Sequence, residues 1–403
     1  EQELEKSEAI NDYLADEIEK SIGLNYNNEL KQYNVLKHSN LLKQNKYQNT
    51  ADINVKDSNE ITKHIKKTVN KRLASVVGLS VACMLIIILI MQFIISPIVS
   101  TQYYNPTKKT FGQKYFQDFK YDLKAITTVS MPGYGVSGIA NAENLGFGEY
   151  NLIYSRRNLF TNEDEIINKK VGKVNKRIGV GLYPRAYIPF SEFWDKEEGT
   201  AEYEESLNFK KTLTKGEIEY LRELPSTSFV SGWVRFPKDL SMRELVKTME
   251  RHRGTDFKWI AVRTSENQGR QLMGFSTGLN DSSDGEIIDE EKYPGFHLVD
   301  TMKLIPTKPK EEVMSERYTM HFTSMLKYLT DRKEAVAALN GINATIEYED
   351  ALKYIEENGV CTYGALVYGE ADDLLKLYES GDIMTFYIDN VVSSKYMNRI
   401  LYY

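Results

Sequence analysis

Three short stretches of the chain carry residue types whose spacing could support chemistry. The first, NDSSDGEIIDEE, has oxygen-bearing side chains at loop positions one, three, five and twelve: Asn280, Ser282, Asp284 and Glu291. This is the ligand spacing of a calcium loop between two helices. Asn280 replaces the usual Asp, however, and Pro294 argues against a following helix. We therefore favour an acidic, solvated loop, with a weak calcium site as the alternative.

The second stretch, GFSTG at 274–278, matches the Gly-x-Ser-x-Gly spacing of a hydrolase nucleophile elbow. That motif needs a strand leading into the serine and a helix leading out, so that the hydroxyl is exposed on a tight turn. The residues that follow, LNDSSDG, predict a turn instead of a helix. We expect Ser276 to have no nucleophilic role.

The third stretch, GYGVSG at 133–138, has the glycine spacing of a dinucleotide-binding loop. No apolar parallel strand and crossover helix frame it, so we expect no cofactor there. The five histidines, His38, His64, His252, His297 and His321, lack metal-ligand spacing and a nearby cysteine. The sequence therefore predicts no catalytic residue, no resident metal and no cofactor. We do not expect an enzyme.

All three stretches follow one long apolar run, LASVVGLSVACMLIIILIMQFIISPIVS. From this run we predict a transmembrane helix at 73–99. Crossing a hydrocarbon core of about 30 Å takes about 20 helical residues. About 70 residues precede the run, which excludes a cleaved signal peptide. The chain begins at Glu1 without methionine, so we also expect further sequence to precede it.

The charged flanks of the run predict its orientation. A basic cluster precedes it, formed by Lys63, Lys66, Lys67, Lys71 and Arg72. Cytoplasmic flanks retain Lys and Arg, whereas Tyr103 and Tyr104 after the run suit the opposite membrane interface. We predict a cell-membrane protein with a cytoplasmic N-terminus and an extracytoplasmic C-terminus. The span has small residues at Ser75 and Gly78, so a homodimer is a further prediction.

Composition limits the remaining functions. The 403 residues carry a net charge of −6, which gives no strongly basic surface for direct contact with nucleic acid. Of the two cysteines, Cys83 lies within the span and Cys361 near the C-terminus. They cannot pair within one chain, so the outer part must fold without a disulfide.

The N-terminal 72 residues read as a helical and flexible tail. An apolar stripe recurs every fourth residue, with one aromatic residue beside it: Ile10, Tyr13, Leu14, Ile18 and Ile22. Acidic residues occupy the other faces, so this is an amphipathic helix. A tail of this size cannot bury the stripe itself. The stripe is therefore predicted to bind a partner, with packing on a neighbouring helix as the alternative.

After the span we predict two regions. Residues 100–225 read as β-rich with an irregular start, and residues 226–403 alternate strands and helices in an α/β or α+β domain. Ser241 and Glu244 form a capping box that opens a helix, and Gly359 ends a later one.

The motifs of these regions resemble one known family. YYNPTK, MPGYGVSG and YNLIYSRRNLF are similar to the N-terminal half of the membrane-anchored sigma factor regulators. WVRFPKDLSMRELVKTMERH, KWIAVRT and YEDALKYIEENGVCTYGALVYGEADDLLKL are similar to the C-terminal half. The resemblance covers most of the chain after about residue 60. It implies an anti-sigma factor whose outer domain senses the envelope while its cytoplasmic tail sequesters a sigma factor.

The tail departs from many anti-sigma factors because it lacks the His-x-x-x-Cys-x-x-Cys zinc module. This departure puts the sigma-binding role of residues 1–60 in question. The alternative function is a surface-anchored extracytoplasmic binding module without a transcriptional role. In either case the lipid bilayer is the expected environment of the span.

Overall fold

The structure is a computed structural model that describes residues 55–110, 116–172, 199–266, 272–278, 289–298 and 308–395. Its contacts divide the chain into two compact units, 1–87 and 88–403. The predicted tail helix with Ile10, Tyr13, Leu14, Ile18 and Ile22 lies outside the described residues.

A single helical path carries the apolar run. Helix α1 (Val55–Ile90) continues through a π-helical turn, Met91–Ile95, into α2 (Ser96–Ser100). In the turn, the Ser96 N–H donates to the Met91 carbonyl, five residues earlier. The segment Thr62–Ser100 has a mean hydropathy of 2.9 and a length sufficient to cross a membrane. This agrees with the span predicted at 73–99 by length and composition.

The segment after the span contains helix α3 (Asp118–Ser130) and a three-stranded antiparallel sheet of β1 (Tyr134–Gly146), β2 (Glu149–Asn158) and β3 (Asp164–Val171). β1 and β2 form a hairpin, whose two-residue turn is Phe147–Gly148. Helix α4 (Ala201–Glu223) follows later in the chain. The region thus contains the predicted strands together with two helices.

The two helices were not predicted, and the burial pattern explains why. In α3, residues 119, 122, 123, 126 and 129 are buried at helical spacing, but the run YDLKAITTVS also reads as an apolar strand. In α4 the buried face includes Lys210 and Thr214. Polar residues on that face weaken the helical hydrophobic pattern in the sequence.

A second sheet has the strand order β6-β5-β7-β4-β8, with every pair antiparallel. Its strands are β4 (Phe229–Ser241), β5 (Thr255–Val262), β6 (Gly274–Ser276), β7 (Cys361–Glu370) and β8 (Thr385–Val392). Of the two predicted classes, antiparallel pairing with separate helices is the α+β class.

Helices cover this sheet: α5 (Met242–Arg251), α6 (Lys310–Asp331), α7 (Lys333–Asn340), α8 (Ile342–Asn358) and α9 (Ala371–Glu379). The capping box that opens α5 is confirmed, since Ser241 and Glu244 bond to each other's backbone N–H groups. Gly359 ends α8 as predicted, with φ of 78° and ψ of 174°.

One hydrophobic core runs through both regions after the span. It includes Phe119 and Ile126 of α3, Tyr150 of β2, Ile260 of β5 and Phe322 of α6. A smaller cluster on the other face of the second sheet contains Phe160, Trp233 and Trp259. The boundary predicted at residue 225 stays a prediction, but this apolar packing continues across it.

Gly359 and Gly216 provide a matched test of the backbone. An added Cβ meets no atom within 4 Å at either site. Gly359, however, occupies a region that essentially only glycine adopts, whereas Gly216 lies inside α4. We expect Gly359→Ala to lower the free energy of unfolding by about 1–3 kcal/mol. Gly216→Ala should raise it by about 0.5–1 kcal/mol. Chemical denaturation of the full chain in detergent micelles measures both, and equal effects would contradict the assigned helix end.

Candidate functional site

The most extensive buried polar group of the described residues surrounds the carboxylate of Asp122, on α3. Asp122 is completely buried, and both of its oxygens accept two hydrogen bonds. Oδ1 accepts from the Tyr328 hydroxyl and Arg332 Nε, each at 2.8 Å. Oδ2 accepts from the Tyr104 hydroxyl at 2.6 Å and Arg332 Nη2 at 2.7 Å. We call these four residues the Asp122 cluster.

The cluster joins three segments that are far apart in sequence. Tyr104 lies four residues after the end of α2, Asp122 is in α3, and Arg332 lies between α6 and α7. Asp118, one turn before Asp122, is also fully buried, and its Oδ2 lies 3.7 Å from Arg332 Nη2. The chain just after the span is thereby attached to the helices of the C-terminal region.

The surroundings of Arg332 stabilise its charged form. Burial lowers the pKa of Arg332, but hydrogen bonds and the charge of Asp122 outweigh burial and leave that pKa raised. Burial and the same carboxylate raise the pKa of Tyr104 and of Tyr328 well above the usual value. Both hydroxyls therefore keep their protons and donate to Asp122 at physiological pH.

A second attachment lies at the end of the apolar helix. The Ser96 hydroxyl accepts from the Phe147 N–H at 2.8 Å, and the Ser100 hydroxyl accepts from the Gly148 N–H at 3.0 Å. Tyr103 packs so closely on Gly148 that a Cβ there would overlap its ring. The β1–β2 turn is therefore fixed against the last helical turn.

The two attachments are linked through Gln117, the residue before α3. Its amide Nε2 donates to the Ala142 carbonyl at 3.0 Å, and its Oε1 accepts from the Ala142 N–H at 2.6 Å. Ala142 lies in β1, on the strand that leads to the turn at Phe147. A displacement of the turn would therefore be transmitted to β1 and, through Gln117, to the start of α3.

A cleft of about 430 Å³ brings together two motifs that are separate in the sequence. Gly135–Gly138 of the GYGVSG stretch and Ser276 and Gly278 of GFSTG both line it. Lys120 and Lys124 of α3 also line it. Lys124 Nζ lies 3.0 Å from His297 Nδ1. Two lysines of α3 thus lie on one wall of the cleft.

The geometry of this cleft does not make a hydrolase site. Ser276 is the last residue of β6, and the two described residues after it are not helical. His321 also lines the cleft, but its Nδ1 bonds to the Gly295 carbonyl at 2.8 Å. Within the described ranges, Ser276 and His321 share no hydrogen bond. The nucleophile elbow requires both features.

The other predicted chemical residues are dispersed. Of the calcium candidates, Glu291 is exposed in a turn, whereas Asn280, Ser282 and Asp284 lie outside the described residues. No cluster of three or more metal-ligating side chains occurs in the part of the chain that the structure describes. His252 Nε2 lies 2.7 Å from Asp382 in a polar surface contact. Cys83 and Cys361 are both free thiols.

The Asp122 cluster was missed from the sequence. Its one local signal is that Asp118 and Asp122, four residues apart, share a helical face with apolar residues. Acids on an apolar face require a buried partner. The partner, Arg332, is 210 residues away in sequence, and short-range spacing cannot identify it.

Comparison with known families matched residues 221–390 to the family described as sigma factor regulator C-terminal. The matched segment begins in α4 and ends in β8, so it contains the second sheet and its covering helices. Neither the curated proteins nor the solved structures gave a match.

Two arginine–aspartate pairs allow a matched test of burial. Arg332 pairs with the buried Asp122, whereas Arg157 pairs with the exposed Asp164 at 2.7 Å. Arg332→Gln leaves a buried carboxylate without its cation, and we expect a loss of about 3–5 kcal/mol in the free energy of unfolding. Arg157→Gln should cost about 1 kcal/mol or less. Denaturation of the full-length variants measures both. Similar losses would show that the Asp122 cluster is not a structural anchor.

His321 predicts a pH dependence of stability. Burial lowers its pKa to about 4, so the folded chain holds the ring neutral while the unfolded chain binds a proton near pH 6.5. Its contribution to stability is therefore lost as the pH falls from about 6.5 to about 4. We expect His321→Gln to flatten the stability profile over this range, by up to about 3 kcal/mol. The exposed His64→Gln is the control, and an unchanged profile in His321→Gln would contradict the assignment.

Proposed function

We propose that the chain is a single-span membrane regulator whose N-terminal tail sequesters a sigma factor, because residues 221–390 match the family described as sigma factor regulator C-terminal. The family supports an anti-sigma-factor-like regulator, which acts through binding and not through catalysis. A sigma factor is the partner that the family implies. The proposal adds the direction of the signal, from the folded region after the span to the tail before it.

One structural observation carries the proposal: the end of the apolar helix is bonded into the folded region after it. Ser96 and Ser100 hold the β1–β2 turn, and Tyr104 enters the Asp122 cluster four residues beyond α2. A single helix has no pore or cavity for transport. It can transmit only tilt, rotation, association or proteolytic release. The hydrogen bonds of Ser96, Ser100 and Tyr104 would transmit tilt and rotation between the folded region and the helix.

The other end of the same helix supports the proposed orientation. The basic cluster at Lys63, Lys66, Lys67, Lys71 and Arg72 is exposed on the first turns of the segment Thr62–Ser100. A cluster of this kind favours the cytoplasmic side. The tail would then lie in the cytoplasm with its apolar stripe available to a sigma factor. The region after the span would lie outside as the sensor.

A second candidate function is a surface-anchored binding module without a role in transcription. The cleft of about 430 Å³ favours it, because a site of that volume with Lys120 and Lys124 on one wall could hold a small anionic ligand. The two functions differ in their prediction for the tail, which only the regulator needs for partner binding.

The tail stripe provides the test of the regulator. We expect the tagged full-length chain, solubilised from the membranes of its source cells, to retain a sigma factor identified by mass spectrometry. The double variant Leu14→Asp, Ile18→Asp should lose that protein, since burial of each apolar side chain contributes about 1.5–3 kcal/mol.

The double variant Asp12→Ala, Asp16→Ala on the polar face is the matched control and should retain the sigma factor. Recovery of a sigma factor by the Leu14→Asp, Ile18→Asp variant would exclude the stripe as the contact. Failure of the unmodified chain to retain any sigma factor would favour the surface-anchored module.

A further inference from the structure

The last two turns of the apolar helix form one wall of a cleft of about 630 Å³. Gln92, Ser96 and Ser100 line it from the helix, and Asn144 and Tyr150 line it from the β1–β2 hairpin. The three helical residues are spaced by four, so they form one polar stripe on an otherwise apolar segment. This stripe extends about 12 Å along the helix axis.

The position of the cleft relative to a membrane follows from the helix register. If Thr62–Ser100 crosses the bilayer, Ser96 lies about 6 Å before the end of the span. The bond from the Phe147 N–H to Ser96 Oγ holds the hairpin turn at that same level. The cleft is thus at the depth where phospholipid headgroups meet the acyl chains.

The hairpin turn itself has the character of a membrane contact. Leu145 and Phe147 expose 46% and 38% of their surface beside the end of the span. Phe147 has a positive φ of 52°, in a two-residue turn where Asn-Gly is the favoured pair. A bulky side chain with positive φ strains the backbone. Contact between the Phe147 ring and acyl chains would offset this strain and explain why phenylalanine occupies the position.

The rim of the cleft carries one charge of each sign. Lys108 and Glu334 both line it and are both exposed. Within the described ranges, neither forms an ion pair. Deeper in the cleft, the Tyr150 hydroxyl is buried beside Ser100 without a hydrogen bond of normal geometry to any described residue. Lys108 and Glu334 thus offer one cation and one anion to a ligand at the rim.

We propose that this cleft binds the headgroup of a zwitterionic aminophospholipid of the surrounding bilayer. Lys108 contacts the phosphate, Glu334 contacts the ammonium group, and Gln92 of the polar stripe donates to the glycerol ester oxygens. Leu145 and Phe147 contact the acyl chains. The site goes beyond the proposed function and rests on the span being a membrane helix.

The test uses the full-length chain purified in detergent and supplied with phosphatidylethanolamine and phosphatidylglycerol in equal amounts. Native mass spectrometry measures the lipid that each variant retains. We expect the unmodified chain to retain phosphatidylethanolamine in preference. Lys108→Gln and Glu334→Gln should each reduce its retention by about fivefold or more, the ratio for loss of one charged contact.

Lys109→Gln is the matched control, because Lys109 is the exposed neighbour of Lys108 and does not line the cleft. It should retain lipid as the unmodified chain does. Equal retention of the two lipids, or unchanged retention in both Lys108→Gln and Glu334→Gln, would overturn the proposal. Loss in Lys108→Gln alone, with phosphatidylglycerol preferred, would also overturn it by showing a site for anionic lipids. Sigma factor capture is measured separately and does not depend on this result.

Discussion

The buried carboxylate of Asp122 is the constraint on which the region after the span depends. A fully buried carboxylate is tolerated only when charge and hydrogen bonds replace the water that it loses. Asp122 has one guanidinium and two phenol hydroxyls for this purpose. Satisfying this group requires Tyr104, α3 and the end of α6 with Arg332 to meet at one point. The chain immediately after the apolar helix is therefore part of the folded core.

This requirement also explains the arrangement around the hairpin. α3 carries Asp122 and packs against β1, and Gln117 pairs with the backbone of β1 at Ala142. β1 then leads to the turn that Ser96 and Ser100 hold. Two routes thus connect the end of the span with the core, one through Tyr104 and one through the hairpin. The regulator that we propose requires such a connection, because its single helix must move together with the folded region.

Features set by neighbouring residues could be predicted from the sequence. The span follows from one uninterrupted apolar run, the start of α5 from Ser241 and Glu244, and the end of α8 from Gly359. α3 was mistaken for extended structure because its apolar run also fits a strand. α4 was missed because Lys210 and Thr214 occupy its buried face.

Features that depend on distant residues could not be predicted in the same way. The bond between Asp122 and Arg332 joins residues 210 positions apart, and the bond between Ser96 and Phe147 joins residues 51 apart. GYGVSG and GFSTG each have the spacing of a known functional motif, yet the fold places them on the walls of one cleft. Packing explains one glycine of each motif: a Cβ at Gly274 would overlap the Ile260 carbonyl, and one at Gly133 would lie 3.0 Å from Leu366.

The most direct test of the proposed coupling is the output of a reporter gene driven by the sigma factor that the tail is proposed to sequester. It compares cells with the unmodified chain, the Ser96→Ala, Ser100→Ala variant and the Ser75→Ala variant. The Ser75 hydroxyl donates to the Lys71 carbonyl of its own helix at 2.8 Å and contacts no other described element through a hydrogen bond, so its removal serves as the control. We expect the double variant to change basal output about fivefold or more at equal protein level, while Ser75→Ala has no effect. Unchanged output from the double variant would contradict coupling through the end of the span.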